Sequence, residues 1–298
     1  MSGSLFKKFH YLRSKKEFQR SPLRTIFKLV AWRAHCLLSR EATITLVKGS
    51  SLKMILPPEW HGQAKLYYAF GWQQDDDLVY LVEKAAAGSI IFDVGANTGA
   101  WTLLLSNKVG PGGSVIACEP SGPTYQALAK NVALNRLTNA KIIQVALSDV
   151  PGTVRLYHDI DATRNSLGRT RTDDANDFET VCAATLDAVV SELQLGRVDI
   201  LKIDAEGAEP LVLRGAMKTI EAFRPTILFE INATAMKAVG VPHDAAWRIL
   251  SQLGYSFYSL ETGALIAQTS CPRGGNIWAI HHDEQGDHKH KSSLSSAN

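Results

Sequence analysis

From Asp75 onward, apolar and polar positions fall into blocks whose period switches between that of a helix and that of a strand. DDDLVYLVEKAAAG (75–88) opens on acids, runs at helical spacing and stops at glycine, as a capped helix does. SVIACE (114–119) and KIIQVAL (141–147) read as strands flanking TYQALAKNVALN (124–135), whose apolar residues recur at helical spacing. VDILKID (198–204) and PTILFEI (225–231) are almost continuously apolar, the mark of strands covered on both faces, and AEPLVLRGAMKTIEAF (208–223) is the helix between them. DAAWRILSQL (244–253) is a further helix ending at Gly254, after which YSFYSL (255–260) and GNIWAIHH (275–282) pair as a closing hairpin. TVRLYH (153–158) and FETVCAATL (178–186) are extended segments around a polar loop, 159–177. Repetition of strand, helix and strand at this spacing predicts an α/β fold with a doubly wound, mostly parallel sheet.

Upstream, ATITLVKGSSLKMIL (42–56) reads as a hairpin around Gly49, and together with helix 75–88 it covers one side of the expected cleft. Residues 1–70 form a basic arm and helical/hairpin extension, 71–282 the main domain, and 283–298 a polar, disordered tail in which His288 and His290 are read as solvated. Charge separates the arm from the rest. Residues 1–40 hold ten Lys/Arg against one acid, Glu17, for +9, which leaves −6 on the other 258 residues of a chain whose net charge is +3. IFKLVAWRAHCLL (26–38) is too short, and too interrupted by Lys28, Arg33 and His35, to span a bilayer. It reads either as a helix packed on the domain with its Lys/Arg in water, or as an amphipathic helix making peripheral contact with an anionic membrane or glycan. Cys36, Cys118, Cys182 and Cys271 show no CxxC or metal-ligand spacing, so the expected setting is the reducing cytoplasm.

The chemistry gathers at strand ends. IIFDVGANTG (90–99) carries a strand into a turn with Gly95 and Gly99 four apart and Asn97 between them. The dinucleotide fingerprint sets its outer glycines five apart with a third inside, whereas Asn97 is a residue that tolerates positive φ. Bare backbone at the start of a helix suits a nucleotide-like cofactor. Glu119 ends the next strand, where a carboxylate accepts the hydroxyls of a ribose. At the end of VALSD (145–149), Ser148 and Asp149 stand where an adenine would lie, although Asp149 also reads as a turn residue before Pro151-Gly152.

VDILKIDAEGAEPLVLRGA (198–216), together with IFDVGANTGAW, CEPSGPTYQALAKNVALN and VALSD in that order, resembles the FkbM family of S-adenosylmethionine-dependent methyltransferases from about Ser89 to Ile280. The resemblance implies a Rossmann-like class I methyltransferase fold, with a seven-stranded sheet whose last strand is antiparallel. It also implies O-methylation of a hydroxyl on a glycan or small natural product, with S-adenosylhomocysteine as the other product. By position, Asp93, Gly95, Ala96, Asn97 and Gly99 would line the cofactor, Glu119 its ribose and Asp149 its adenine. Trp101 stands where the family would place a smaller aromatic, which leaves the rest of the pattern intact.

Methyl transfer from a sulfonium is an in-line displacement, so a protein performing it must align the acceptor and receive its proton. Candidate bases lie at carboxyl ends of strands: Asp204 and Glu206 first, then Glu230, and His158 beside the polar loop. Asp204, Glu206 and Glu230 also have readings as cap, helix-terminal acid and ion-pair partner. Lys202 shares a face with Asp204 and either holds it ionised or sits at the wet end of its strand. Asn165, Ser166 and Arg169 are the expected acceptor contacts. A divalent metal on Asp204, Glu206 and Glu230 is admissible but not expected. The rivals are an NAD(P)-dependent oxidoreductase on a related fold, a nucleic-acid methyltransferase, which the −6 core disfavours, and a cofactor-binding module without activity. The oligomeric state is not legible.

Overall fold

The computed structural model describes residues 12–13, 15–58, 63–159, 165–168, 177–260 and 262–284. In chain order its strands are β1 (Ala42–Thr45), β2 (Lys53–Leu56), β3 (Ile90–Val94), β4 (Ser114–Cys118), β5 (Ala140–Ile143), β6 (Ala146–Leu147), β7 (Gly152–Tyr157), β8 (Phe178–Ala184), β9 (Ile200–Ile203), β10 (Thr226–Asn232), β11 (Tyr255–Ser259), β12 (Leu265–Ile266) and β13 (Gly274–His281). The main sheet runs β12-β11-β13-β10-β9-β3-β4-β5. Its five strands from β10 to β5 are parallel, and β13 runs antiparallel between β10 and β11. The strand order reverses beside β3, between β9 and β4, so the carboxyl ends of β3, β4 and β9 face one crevice.

All four residues of β9 are buried, as its unbroken apolar sequence demands of a central strand with helices on both faces. On one side Trp247 stacks on Phe257, with ring centroids 3.7 Å apart, while Tyr255 donates its hydroxyl hydrogen to the carbonyl of Pro225 at 2.9 Å. The hairpin at Gly49 forms as expected, Ala42 opposite Leu56. It is tied to the domain by two asparagines of the helix Gly122–Leu134: Asn131 and Asn135 each exchange a pair of hydrogen bonds with the backbone of Ile55 and Lys53, at 2.7–3.1 Å. Two amides thus continue the edge of β2 as a neighbouring strand would.

Four expectations need correction. The sheet has eight strands, because the two-residue β12 adds an edge to β11. KIIQVAL is two strands: after Ile143 the chain leaves the main sheet, and Ala146-Leu147 joins β8 and β7 in a separate three-stranded sheet. FETVCAATL ends as a strand at Ala184, and Thr185 caps the helix Leu186–Glu192 by accepting the N–H of Ala188 at 3.1 Å. AEPLVLRGAMKTIEAF is two helices, Glu209–Arg214 and Met217–Phe223. Gly215 passes so close to the carbonyl of Ser148 that a Cβ would sit 2.1 Å from its oxygen, and the Asp187 carboxylate accepts the N–H groups of Lys218 and Thr219 to start the second helix afresh. The helix Ala233–Val239, capped by Asn232, was not anticipated.

Candidate active site

The loop after β3 is built on internal hydrogen bonds. The N–H groups of Gly95 and Ala96 both donate to the carbonyl of Cys118, that of Asn97 to Glu119 Oε2 at 2.9 Å, that of Thr98 to Asn97 Oδ1 at 2.8 Å, and that of Gly99 to the carbonyl of Ala96. Asn97 sits at φ +54°, the left-handed conformation for which asparagine is suited. Gly95, at φ +71°, has a second reason to lack a side chain: a Cβ there would lie 1.9 Å from the carbonyl oxygen of Asp204 on the neighbouring strand end. The bare backbone serves a strand-to-strand approach as well as any ligand.

Lys202 locks this loop from below. It is 3% exposed, and its Nζ lies 2.9 Å from Asp93 Oδ1 while donating to the carbonyls of Gly95 at 2.9 Å and Val94 at 3.2 Å. Asp93, fully buried, also accepts from the Thr102 hydroxyl at 2.7 Å. Burial alone would lower the Lys202 pKa, but Asp93 and then Asp204 outweigh it, and the ammonium is held above its ordinary value. Lys202 is therefore neither at a wet strand end nor chiefly a partner of Asp204, which is 3.8 Å away.

Two cavities meet over Gly95, Asn97, Asp204 and Glu206. The first runs past Glu119 to an apolar wall that includes Val145, Leu147, Leu156 and Leu167. Glu119 accepts the N–H of Ser121 at 3.0 Å as well as that of Asn97; burial pushes its carboxyl up to about 7, with those two N–H groups pulling the other way. The second limb is closed by Tyr67 and Trp101 above Lys202. Tyr67 donates to Asp75 Oδ2 at 3.0 Å, and burial, reinforced by Asp75, holds its phenol well above the ordinary value. Parallel pairing of Phe229 with Ile203 brings the next residues, Glu230 and Asp204, side by side at the ends of β10 and β9. Burial first, then Asp204 and Asp77, push Glu230 up to about 7.

Beneath the floor, Glu209 is completely buried and accepts the N–H groups of Ala205 at 2.9 Å and Gly207 at 3.2 Å, with burial raising its carboxyl to about 8. That grip holds Glu206 at φ +48°, a conformation that costs a non-glycine residue about 1–2 kcal/mol. Ser166 adds a hydrogen bond to the Glu206 carbonyl at 2.6 Å.

The structure thus brings together Gly95, Ala96, Asn97, Glu119, Asp204 and Glu206, with Asp93 and Lys202 beneath them and Gly99 at the start of the helix Ala100–Val109. It does not bring Ser148, Asp149, His158 or Glu230 to the cleft lining. The Asp149 carboxylate is held by Arg214 at 3.2 Å and by the Ser148 hydroxyl at 3.2 Å, and the wall is made instead by Val145, Ala146 and Leu147. His158 is clamped between Asp177 at 2.7 Å and Glu179 at 3.2 Å; burial would lower its pKa, but the two carboxylates outweigh it and raise it, and both ring nitrogens are engaged in holding the loop. Asn165 lies on the Glu119 limb and not on the Tyr67 limb, and Arg169, His288 and His290 fall outside the described residues. Among the described residues no three His, Cys, Asp or Glu side chains converge as a metal site. Sequence reading missed Tyr67 and Asp75, and read Glu209 only as an acid at the start of its helix, not as the buried group gripping Ala205 and Gly207; the clue for Asp75 was the acidic run at 75–77, read only as a helix start.

The sequence model of the methyltransferase FkbM domain matches residues 93–257, more than half of the chain. The protein belongs to this FkbM methyltransferase family. Among similar proteins, methyltransferase sdnD of Sordaria araneosa is 29% identical over 168 residues, covering 47% of this chain and 64% of that one. The 31-O-demethyl-FK506 methyltransferase FkbM of Streptomyces tacrolimicus is 29% identical over 157 residues, 43% of this chain and 59% of its own. The hexuronic acid methyltransferase AglP of Haloferax volcanii is 24% identical, over 54% and 63%. This chain thus spans less than two thirds of the length of these curated relatives. Among solved structures, a methyltransferase FkbM from Methylobacillus flagellatus KT superposes with a TM-score of 0.43 at 16% identity, covering 65% of this chain and 44% of that one.

Proposed function

We propose that this FkbM-family protein transfers a methyl group from S-adenosylmethionine to a hydroxyl of a carbohydrate or small natural product. The carrying observation is the two-limbed cleft, whose limbs share Gly95, Asn97, Asp204 and Glu206. One limb has what a nucleoside needs: a buried carboxylate at Glu119 for the ribose diol and an apolar slot for a base. The loop leaves no N–H group of Gly95–Gly99 unengaged for a pyrophosphate, which favours an adenosyl sulfonium over a dinucleotide. The residues therefore fit S-adenosylmethionine, with Glu119 taking its ribose and Gly95 and Asn97 lining the space it enters.

When bound, S-adenosylmethionine supplies an electrophilic methyl on a sulfonium, so the chain's own work is to place the acceptor oxygen and remove its proton. Asp204, on the floor of both limbs, is the group placed to accept a hydrogen bond from the acceptor hydroxyl. Glu230 follows the Phe229–Ile203 register pair and lies outside the lining of both limbs; with burial raising its carboxyl to about 7, it is assigned as the general base that draws the proton through Asp204. Tyr67 and Trp101 wall the acceptor limb with the flat apolar surfaces that sugar rings and polyketide-like rings pack on. Named relatives act on FK506-type and hexuronic acid acceptors, which supports an oxygen acceptor of either kind. The four free thiols support a cytoplasmic setting. Calorimetric titration with S-adenosylhomocysteine, with NAD in parallel, tests the cofactor, and transfer of labelled methyl to hexuronic acids and polyols tests the acceptor. Heat from NAD alone would overturn the reading in favour of an oxidoreductase.

A further inference from the structure

The arm helix Pro22–Leu37 divides its apolar residues between two faces. Trp32 and Thr25 are buried, Trp32 packing on Tyr68 with ring centroids 5.5 Å apart, and the Lys28 ammonium reaches the carbonyl of Ala69. Among the described residues nothing covers the opposite face: Leu23 is 84% exposed, Phe27 71%, Val30 63% and Leu37 78%, with Ile26 and Leu38 beside them. At 100° per residue these positions form one stripe along the whole helix. Of the two sequence readings, a packed helix showing Lys/Arg to water or an amphipathic helix on an anionic surface, the exposed face bears on both: large aliphatic and aromatic side chains lie there, with exposed Arg24 on one flank and Arg33 on the other. From Phe18 to Arg40 the chain holds no acid, so nothing on this helix opposes an anionic surface.

We infer that this helix docks the protein on an anionic phospholipid membrane, lying in the plane of the interface with the Leu23–Leu37 stripe among the acyl chains and the arginines at the headgroups. Among the described residues no helix is long and apolar enough to cross a membrane. Sixteen residues make about 24 Å of helix, short of the roughly 30 Å hydrocarbon core, which leaves an in-plane orientation. Charge decides between lipid and a second copy of the chain. A two-fold pairing of this stripe would set Arg24 and Arg33 of each copy against those of the other, whereas anionic headgroups complement both flanks. The inference does not depend on the methyl-transfer reading, since it uses no residue of the cleft.

The test is co-sedimentation of the full-length protein with vesicles of phosphatidylcholine alone and of phosphatidylcholine mixed with phosphatidylglycerol. Binding to the mixed vesicles should be at least about tenfold stronger, because each basic residue near such a surface contributes about fivefold, and it should weaken with added salt. Phe27→Asp/Val30→Asp should reduce it at least tenfold while thermal stability and S-adenosylhomocysteine affinity stay at the parent values. Arg33→Gln/Arg40→Gln should remove most of the preference for phosphatidylglycerol and keep the residual binding. Equal binding to both vesicle types would overturn the inference. So would absence of vesicle binding together with a concentration-dependent dimer that Phe27→Asp/Val30→Asp dissociates, which would assign the stripe to a second copy.

Discussion

Replacing Lys202 by methionine isolates the electrostatic lock under the glycine loop. Methionine keeps most of the apolar stem and removes the ammonium, which lies 2.9 Å from Asp93, donates to the carbonyls of Val94 and Gly95, and sits 5.3 Å over the Trp101 ring. The Asp93 carboxylate, fully buried, would retain the Thr102 hydroxyl and lose its counter-charge. Stranding one member of a buried ion pair costs about 3–5 kcal/mol, a large part of the roughly 5–15 kcal/mol that stabilises a folded chain. Urea unfolding followed by tryptophan fluorescence should therefore show Lys202→Met destabilised by about 4 kcal/mol. Adding Asp93→Asn removes the stranded charge, so the double variant should be more stable than the sum of the single effects by about 2 kcal/mol or more. S-adenosylhomocysteine affinity should fall in Lys202→Met and recover partly in the double variant. A Lys202→Met protein within 1 kcal/mol of the parent, or a double variant that merely adds the two losses, would refute the lock.

Three further outcomes follow from the cleft. The Glu119 carboxyl, raised from 4.5 to about 7, is neutral in the folded apo protein below that value, so its contribution to apo stability is complete below pH 4.5 and is lost as pH rises to about 7. Ribose hydroxyls favour the ionised form, so S-adenosylhomocysteine affinity should rise about tenfold from pH 6 to pH 8, and titrations of Glu119→Gln should show weaker binding with a flat pH dependence. Glu230→Gln should lower kcat by about 10² to 10⁴ and abolish the rise in kcat near pH 7, while Asp204→Asn should mainly raise the acceptor KM; both should bind S-adenosylhomocysteine as the parent does. Gly95→Ala, which forces a Cβ into the Asp204 carbonyl at positive φ, should cost about 2–4 kcal/mol in urea unfolding and weaken cofactor binding at least tenfold.

What could be read in the chain depended on whether a residue's partner lies near it in sequence or across the sheet. Asn97 was legible because positive φ is a local property of a turn, and Glu119 because strand ends in this fold share a crevice. β9 was legible from its unbroken run of apolar residues. The partner of Lys202 was not: side-chain alternation put it with Asp204 two positions on, whereas the ladder between β3 and β9 sets Asp93 directly opposite Lys202, a pairing 109 residues apart in sequence. Asp149 failed for the same reason, since Arg214 arrives from a helix whose break at Gly215 is invisible without the Ser148 carbonyl that forces it. Tyr67 lies in a helix of ordinary composition, and only the way that helix folds back over the crevice gives its ring a place in the site.

The glycine loop shows how a small change in spacing redirects a common fold. A dinucleotide site keeps backbone N–H groups pointing outward, at the start of a helix, for a pyrophosphate that carries two charges. Here the glycines stand four positions apart, and the loop's N–H groups turn inward: two to Cys118, one to Glu119, one to the Asn97 side chain and one to Ala96. With the Val94 and Gly95 carbonyls taken by Lys202, what faces the cleft beside the loop is the carboxylates of Glu119, Asp204 and Glu206. Such a surface repels phosphate and suits a ligand with a cationic centre and a neutral sugar. The selectivity between a nicotinamide dinucleotide and an adenosyl sulfonium thus rests on where five N–H groups point, and Asn97 fixes that direction by occupying the left-handed turn while its own amide oxygen satisfies the next N–H.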